Sequence, residues 1–184
     1  MLTQVLSEIY ERDLTKLREE IEAYQSEADL WKTGGGITNS AGNLCLHLTG
    51  NLQHFFGAVL GGTGYVRNRE AEFADKDISR ADLLAEIDAA RQAMKKTLEM
   101  LTSDDLAENY PIAVFGHPMT TEYFVTHLAA QKATICVGRI LMAGNSVSLG
   151  VCQDIGACHA QQRTDPIPSA SRQHRQSLGP RTAK

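Results

Sequence analysis

The chain has 184 residues, 42% of them apolar, a formal charge of -4 and a sequence pI near 5.8. That is enough apolar material for one domain with a proper core and too little length for a second independent one. The acidic balance excludes the basic footprint of a nucleic-acid binder, and no run of about 18 apolar residues offers a membrane span.

The first segment is charged and amphipathic, without the apolar run and small-residue cleavage site of a secretory signal, so the chain reads as cytoplasmic. Cys45, Cys136, Cys152 and Cys158 form no CxxC pair and read as free thiols. From Leu2 to Tyr24, Leu2, Val5, Leu6, Ile9, Leu14, Leu17, Ile21 and Tyr24 recur at helical spacing, which predicts a first helix. Lys32-Thr33-Gly34-Gly35-Gly36 then breaks the chain. It lacks the Gly-Lys-Ser/Thr ending of a phosphate loop and reads as a connector between helices.

Asn39-Ser40 supplies an N-cap, and Leu44, Leu48, Leu52, Phe55, Val59 and Leu60 give a second helix its apolar face. His47, Asn51 and His54 fall at i, i+4 and i+7, so three polar side chains share one side of that helix beside a core. Gly61-Gly62-Thr63-Gly64 ends it, because glycine accepts the left-handed conformation that helix ends use. A third helix starts at Asp77 or Ser79, with Ser79 and Asp82 as its capping pair. Its stripe is Leu83, Leu84, Ile87, Ala90, Met94, Leu98 and Leu101, in which the methionine is core filler.

Residues 103–119 read as an irregular excursion, with two prolines, Gly116 and a surface His117. Thr120 or Thr121 caps a fourth helix carrying Tyr123, Phe124, His127, Leu128 and Gln131. From residue 146 onward basic residues outnumber acidic ones five to two, and Ser, Gln, Arg and Pro replace periodic apolar positions. Four helices of comparable length thus fall within residues 1–145, and the composition predicts a disordered tail over 146–184.

Gly42-Asn43-Leu44, His47-Leu48-Thr49-Gly50-Asn51-Leu52, His54-Phe55, Leu60-Gly61-Gly62-Thr63-Gly64-Tyr65-Val66-Arg67-Asn68-Arg69-Glu70 and Val114-Phe115-Gly116-His117-Pro118-Met119-Thr120-Thr121 occur in this order. Over residues 1 to about 131 this pattern resembles the DinB-like, YfiT-like superfamily. The resemblance implies an all-α four-helix bundle with a long irregular connection before helix four, often homodimeric. It also implies a divalent metal, zinc or nickel, held by one histidine of helix two and two of helix four. His47 matches the helix-two ligand, with Asn51 and His54 behind it. Some members of the superfamily are thiol-dependent transferases.

This chain departs from that pattern on helix four. Steps of four from His127 reach Gln131 and Ile135, and a register slid by one reaches Lys132 and Cys136. Loss of one base from a coding run for His-Lys-Gly-Tyr-His-Leu would produce Gln131 to Cys136, a frame-change hypothesis that independent resequencing of the gene tests. As written, the chain offers His47 with His127, His54, Gln131 or Cys136 as partners, a weaker set than three histidines, and the set taken is His47, His127 and Gln131.

The resemblance thus implies a metal-dependent transferase or hydrolase acting on a small molecule, with a low-molecular-weight thiol as co-substrate, impaired here by the two missing histidines. The alternative is a metal-free bundle that serves as a binding or interaction protein without catalysis. A third reading is a thiol enzyme using Cys45 or Cys136. It requires an electropositive setting or an adjacent base.

Overall fold

The computed structural model describes residues 2–33 and 38–130. They are all-α: α1 (Leu2–Ala23), a 3-10 turn (Glu27–Trp31), α2 (Ala41–Leu52) running on as a π-helical segment (Gln53–Leu60), α3 (Arg69–Ala74), α4 (Arg80–Met100), α5 (Ser103–Ala107) and α6 (121–130). Among the described residues no strand occurs, and one isolated antiparallel bridge joins Asn109 to Thr120. The four predicted helices are α1, α2 with its π-helical continuation, α4 and α6. The predicted tail, Gln131 and Cys136 lie outside the described residues.

Local chemistry places the helix starts. Ser40 Oγ accepts from the Asn43 N–H to cap α2, Ser79 Oγ accepts from the Asp82 N–H to cap α4, and Thr120 Oγ1 accepts from the Tyr123 N–H to cap α6. Two short helices depart from the sequence reading. Asn68 caps α3, and a reciprocal Thr102–Asp105 capping box starts α5 inside the stretch read as irregular. The Thr-x-x-Asp signal for α5 was present, but five residues carry too little periodicity to register.

The core is built from Leu6, Leu14, Leu17 and Ile21 of α1, Leu44, Leu48 and Leu52 of α2, and Leu83, Ile87, Met94 and Leu98 of α4. Tyr10 meets the Phe56 ring edge-on at 5.1 Å, and its hydroxyl donates to the Val125 carbonyl, which ties α1 to both α2's continuation and α6. Phe124 of α6 packs edge-on against Phe55 at 5.1 Å.

The π-helical turn alters which residues are inside. Phe56 is fully buried, whereas Val59 and Leu60, expected on the apolar face, are only half-buried. The end of this helix also differs from expectation. Gly62 and Gly64 take the left-handed conformation, at φ 63° and 76°, while Gly61 sits at φ -90°. Gly61 is needed for close approach, because a Cβ there would lie 2.7 Å from Thr97 Oγ1.

Candidate functional site

Asn43, in the first turn of α2, builds one wall of the site. Its Nδ2 donates to the Glu72 and Asp75 carbonyls at 3.1 and 2.9 Å, which docks α3 onto α2. Its Oδ1 accepts from Ser40 Oγ and Lys76 Nζ. α3 therefore presents the Glu72 side chain to the face of α2 that carries His47. Gly50 makes the room: a Cβ there would overlap Glu72 Oε1 and stand 3.4 Å from the Tyr65 hydroxyl.

Glu72 is 6% exposed, and donors from Arg67 and His47 converge on its carboxylate. Arg67 Nε donates to Oε1 at 2.6 Å and Nη2 to Oε2 at 2.8 Å, a two-point grip. His47 Nδ1 lies 2.9 Å from Oε2. Burial pushes the Glu72 carboxyl up, but the Arg67 and His47 hydrogen bonds outweigh it and hold the group below its ordinary value.

Arg67 Nη2 is also 3.2 Å from His47 Nδ1. A ring nitrogen that accepted from Arg67 would turn its lone pair on the carboxylate only 2.9 Å away. Nδ1 therefore carries the proton and donates to Glu72, which in the neutral ring leaves the lone pair on Nε2. Phe73 packs on the imidazole at 4.9 Å, and the Arg67 guanidinium stands 5.9 Å over the Phe55 ring.

The other predicted residues fall as follows. Asn51 is 7% exposed, and its Oδ1 is buried without a hydrogen-bond partner among the described residues. His54 is half-buried with its Nδ1 in the same state. Burial and then Arg67 lower its basicity, and Glu72 opposes them. His127 is half-buried, stacked parallel to Tyr123 at 6.0 Å and edge-on to Phe115 at 5.2 Å. Gln131 lies outside the described residues. His117 is exposed, as expected.

The fit of this site to a divalent ion rests on His47. A histidine whose Nδ1–H is held by a carboxylate is oriented and made more basic at Nε2, the arrangement that supports metal-ligating imidazoles. Among the described residues no group of three or more His, Cys, Asp or Glu is placed to hold an ion. Cys45 does not supply a nucleophile. It is fully buried, and burial, then Glu86, pushes its thiol up, away from the thiolate that the third reading required.

Glu72, Arg67 and Gly50 were not singled out from the sequence as site residues. A glycine inside a helical pattern was the available signal for Gly50. Nothing in helical spacing links Glu72 to His47, because they sit on different elements.

Together the fold and site define an all-α bundle with a buried His–Glu–Arg cluster between its second long helix and a short helix docked on it. A family model described as protein of unknown function (DUF1572) matches residues 4–154, most of the chain, and the chain belongs to that family. No curated protein and no solved structure matches it. Among the described residues no helix is long and apolar enough to cross a membrane.

Proposed function

We propose that this chain is a DinB-like, metal-dependent transferase or hydrolase, with His47 as the anchoring ligand and His127 and Gln131 as its partners. The observation that carries the reading is the Glu72 carboxylate on His47 Nδ1, which holds the imidazole with its lone pair on Nε2. A bound divalent ion would supply a lowered pKa for water or thiol at neutral pH. The chain's own residues do the rest: Glu72 fixes the tautomer, Arg67 fixes Glu72, Phe73 packs against the imidazole and the Phe55 ring faces the guanidinium. The two histidines missing from helix four, with Gln131 only a weak donor, make the site impaired. A small-molecule substrate, a low-molecular-weight thiol co-substrate and a homodimer rest on the resemblance of the motifs alone, and a cytoplasmic setting rests on the sequence reading of the first segment.

One observation favours the second reading, a metal-free binding or interaction bundle. The Arg67 guanidinium, 3.2 Å from His47 Nδ1, already places a positive charge beside the imidazole and neutralises Glu72. Elemental analysis after loading with zinc or nickel, with melts in the presence and absence of EDTA, separates the two. The enzyme reading expects bound metal that His47→Ala removes, and a Tm that falls on chelation. Less than about a tenth of an equivalent after loading, with an unchanged Tm, sinks it in favour of the second.

A further inference from the structure

Glu72 is attached to α2 twice, once by its backbone and once by its side chain. Its carbonyl accepts from Asn43 Nδ2 at 3.1 Å, and its Oε2 lies 2.9 Å from His47 Nδ1. Asn43, His47 and Gly50 stand at i, i+4 and i+7, so one face of α2 receives the whole residue. Asn43 takes the carbonyl, His47 takes one carboxylate oxygen, and Gly50 leaves the space for the other.

The backbone attachment meets a need that α3 cannot meet alone, because a helix of six residues does not hold its own shape in water. Asp75 leaves helical geometry at ψ 143°, so no further turn of α3 supplies an N–H for the Glu72 carbonyl. Asn43 supplies that donor, and its Nδ2 also bonds the Asp75 carbonyl at 2.9 Å. The amide can stand only one way round. Ser40 Oγ and Lys76 Nζ donate to Oδ1 at 2.6 and 2.9 Å, so Nδ2 faces the two carbonyls, and the residue is 1% exposed. A carboxylate in its place would set an acceptor against two acceptors.

We infer that Asn43 is a positioning residue for His47: by holding the Glu72 backbone it sets where the carboxylate meets Nδ1, and so which ring nitrogen keeps the lone pair. The inference rests on His47 as the anchoring side chain of the proposed site, and it involves no metal.

The test is the tautomer of His47, read by nitrogen NMR of the full-length chain with isotope-labelled histidine. EDTA is present, and the pH is set about two units above the ordinary histidine value. Asn43→Asp keeps the size and the acceptor for Ser40 and Lys76, and adds a charge that the first turn of α2 favours, but it cannot donate to the carbonyls. The Nδ1–H form is expected to dominate in wild type, and its excess over the Nε2–H form to fall roughly tenfold or more in Asn43→Asp. Lys76→Met, which leaves both carbonyl bonds in place, is expected to match wild type. Any other main form in wild type, an unchanged ratio in Asn43→Asp, or an equal change in Lys76→Met overturns the proposal. If Asn43→Asp does not fold, Asn43→Ser decides by the same ratio, and failure of both to fold makes Asn43 a residue of folding and also overturns it. With EDTA present throughout, a failed metal-loading experiment leaves this outcome unchanged, and an unchanged ratio leaves metal binding to its own experiment.

Discussion

His47 Nδ1 and Glu72 Oε2 lie 2.9 Å apart across the gap between α2 and α3, and Arg67 holds the same carboxylate at both oxygens. The Glu72 carboxylate is shared by Arg67 and His47 and is buried with them. Removing its charge leaves Arg67, whose side chain is 8% exposed, without a counter-ion. Glu72→Gln keeps the shape and one acceptor for His47 but loses the ion pair. Breaking a buried pair from one side costs about 3–5 kcal/mol, so the variant is expected to unfold at markedly lower urea, with an unchanged m-value. A loss under about 1 kcal/mol would show that the cluster is solvated and not structural.

The same cluster sets a pH dependence whose sign follows from its two shifted groups. Glu72 is held below its ordinary value of 4.5, so its contribution is complete above that value and is lost as pH falls through the lowered folded pKa. His54 is also lowered, from an ordinary value of 6.5, by burial first and Arg67 second. The unfolded chain then binds the His54 proton more readily than the folded one, and stability falls as pH drops below 6.5 toward the folded pKa. Urea midpoints are expected to decrease from about pH 7 to about pH 5, with a shallower decrease in His54→Leu. A second loss at lower pH is expected to vanish in Glu72→Gln. Equal slopes in wild type and His54→Leu would remove His54 from this account.

The long elements were legible because their signals are local. Ser40 before an apolar face, Ser79 three residues before Asp82, and Thr120 before Tyr123 each mark a helix start with a side chain that the structure uses. One third of the cluster was legible too: His47 stands out as an imidazole on a core-facing helix. Its partners were not, since Glu72 is 25 residues away on a six-residue helix and Arg67 lies in a connection without regular secondary structure. Nor could spacing foresee the π-helical segment. A period of 3.6 carries the buried stripe to Val59 and Leu60, whereas the wider turn brings Phe56 inside.

Gly50 tests whether the site geometry is built into α2. Alanine in place of an interior helical glycine ordinarily gains about 1 kcal/mol. At Gly50 the added Cβ would overlap Glu72 Oε1, an oxygen pinned by Arg67 rather than the loose end of a flexible chain. Gly50→Ala is therefore expected to destabilise by about 1–3 kcal/mol and to move the His47 ring-nitrogen resonances as the Glu72 contact is lost. A stabilised variant with unchanged His47 resonances would mean that α3 yields without cost and that Glu72 is not fixed by its setting.

The π-helical segment is held by side chains from two other elements, which makes its geometry open to test. Thr97 Oγ1 of α4 donates to the Phe56 carbonyl at 3.0 Å, and the Tyr110 hydroxyl donates to the Phe55 carbonyl at 2.9 Å. The Phe56 carbonyl also accepts from the Gly61 N–H five residues on, at 2.8 Å, so the wide turn and the side-chain bond share one oxygen. Both donors are buried, and deleting either hydroxyl costs about 1 kcal/mol for the bond itself. Thr97→Val with Tyr110→Phe is expected to lose about the sum of the two single losses or more, because both bonds support one backbone arrangement. Hydrogen exchange at the amides of residues 58–61 is expected to accelerate selectively in the double variant, relative to amides in α1. Uniform acceleration, or none, would show that the wide turn is kept by apolar packing of Phe55 and Phe56 and not by these two hydroxyls.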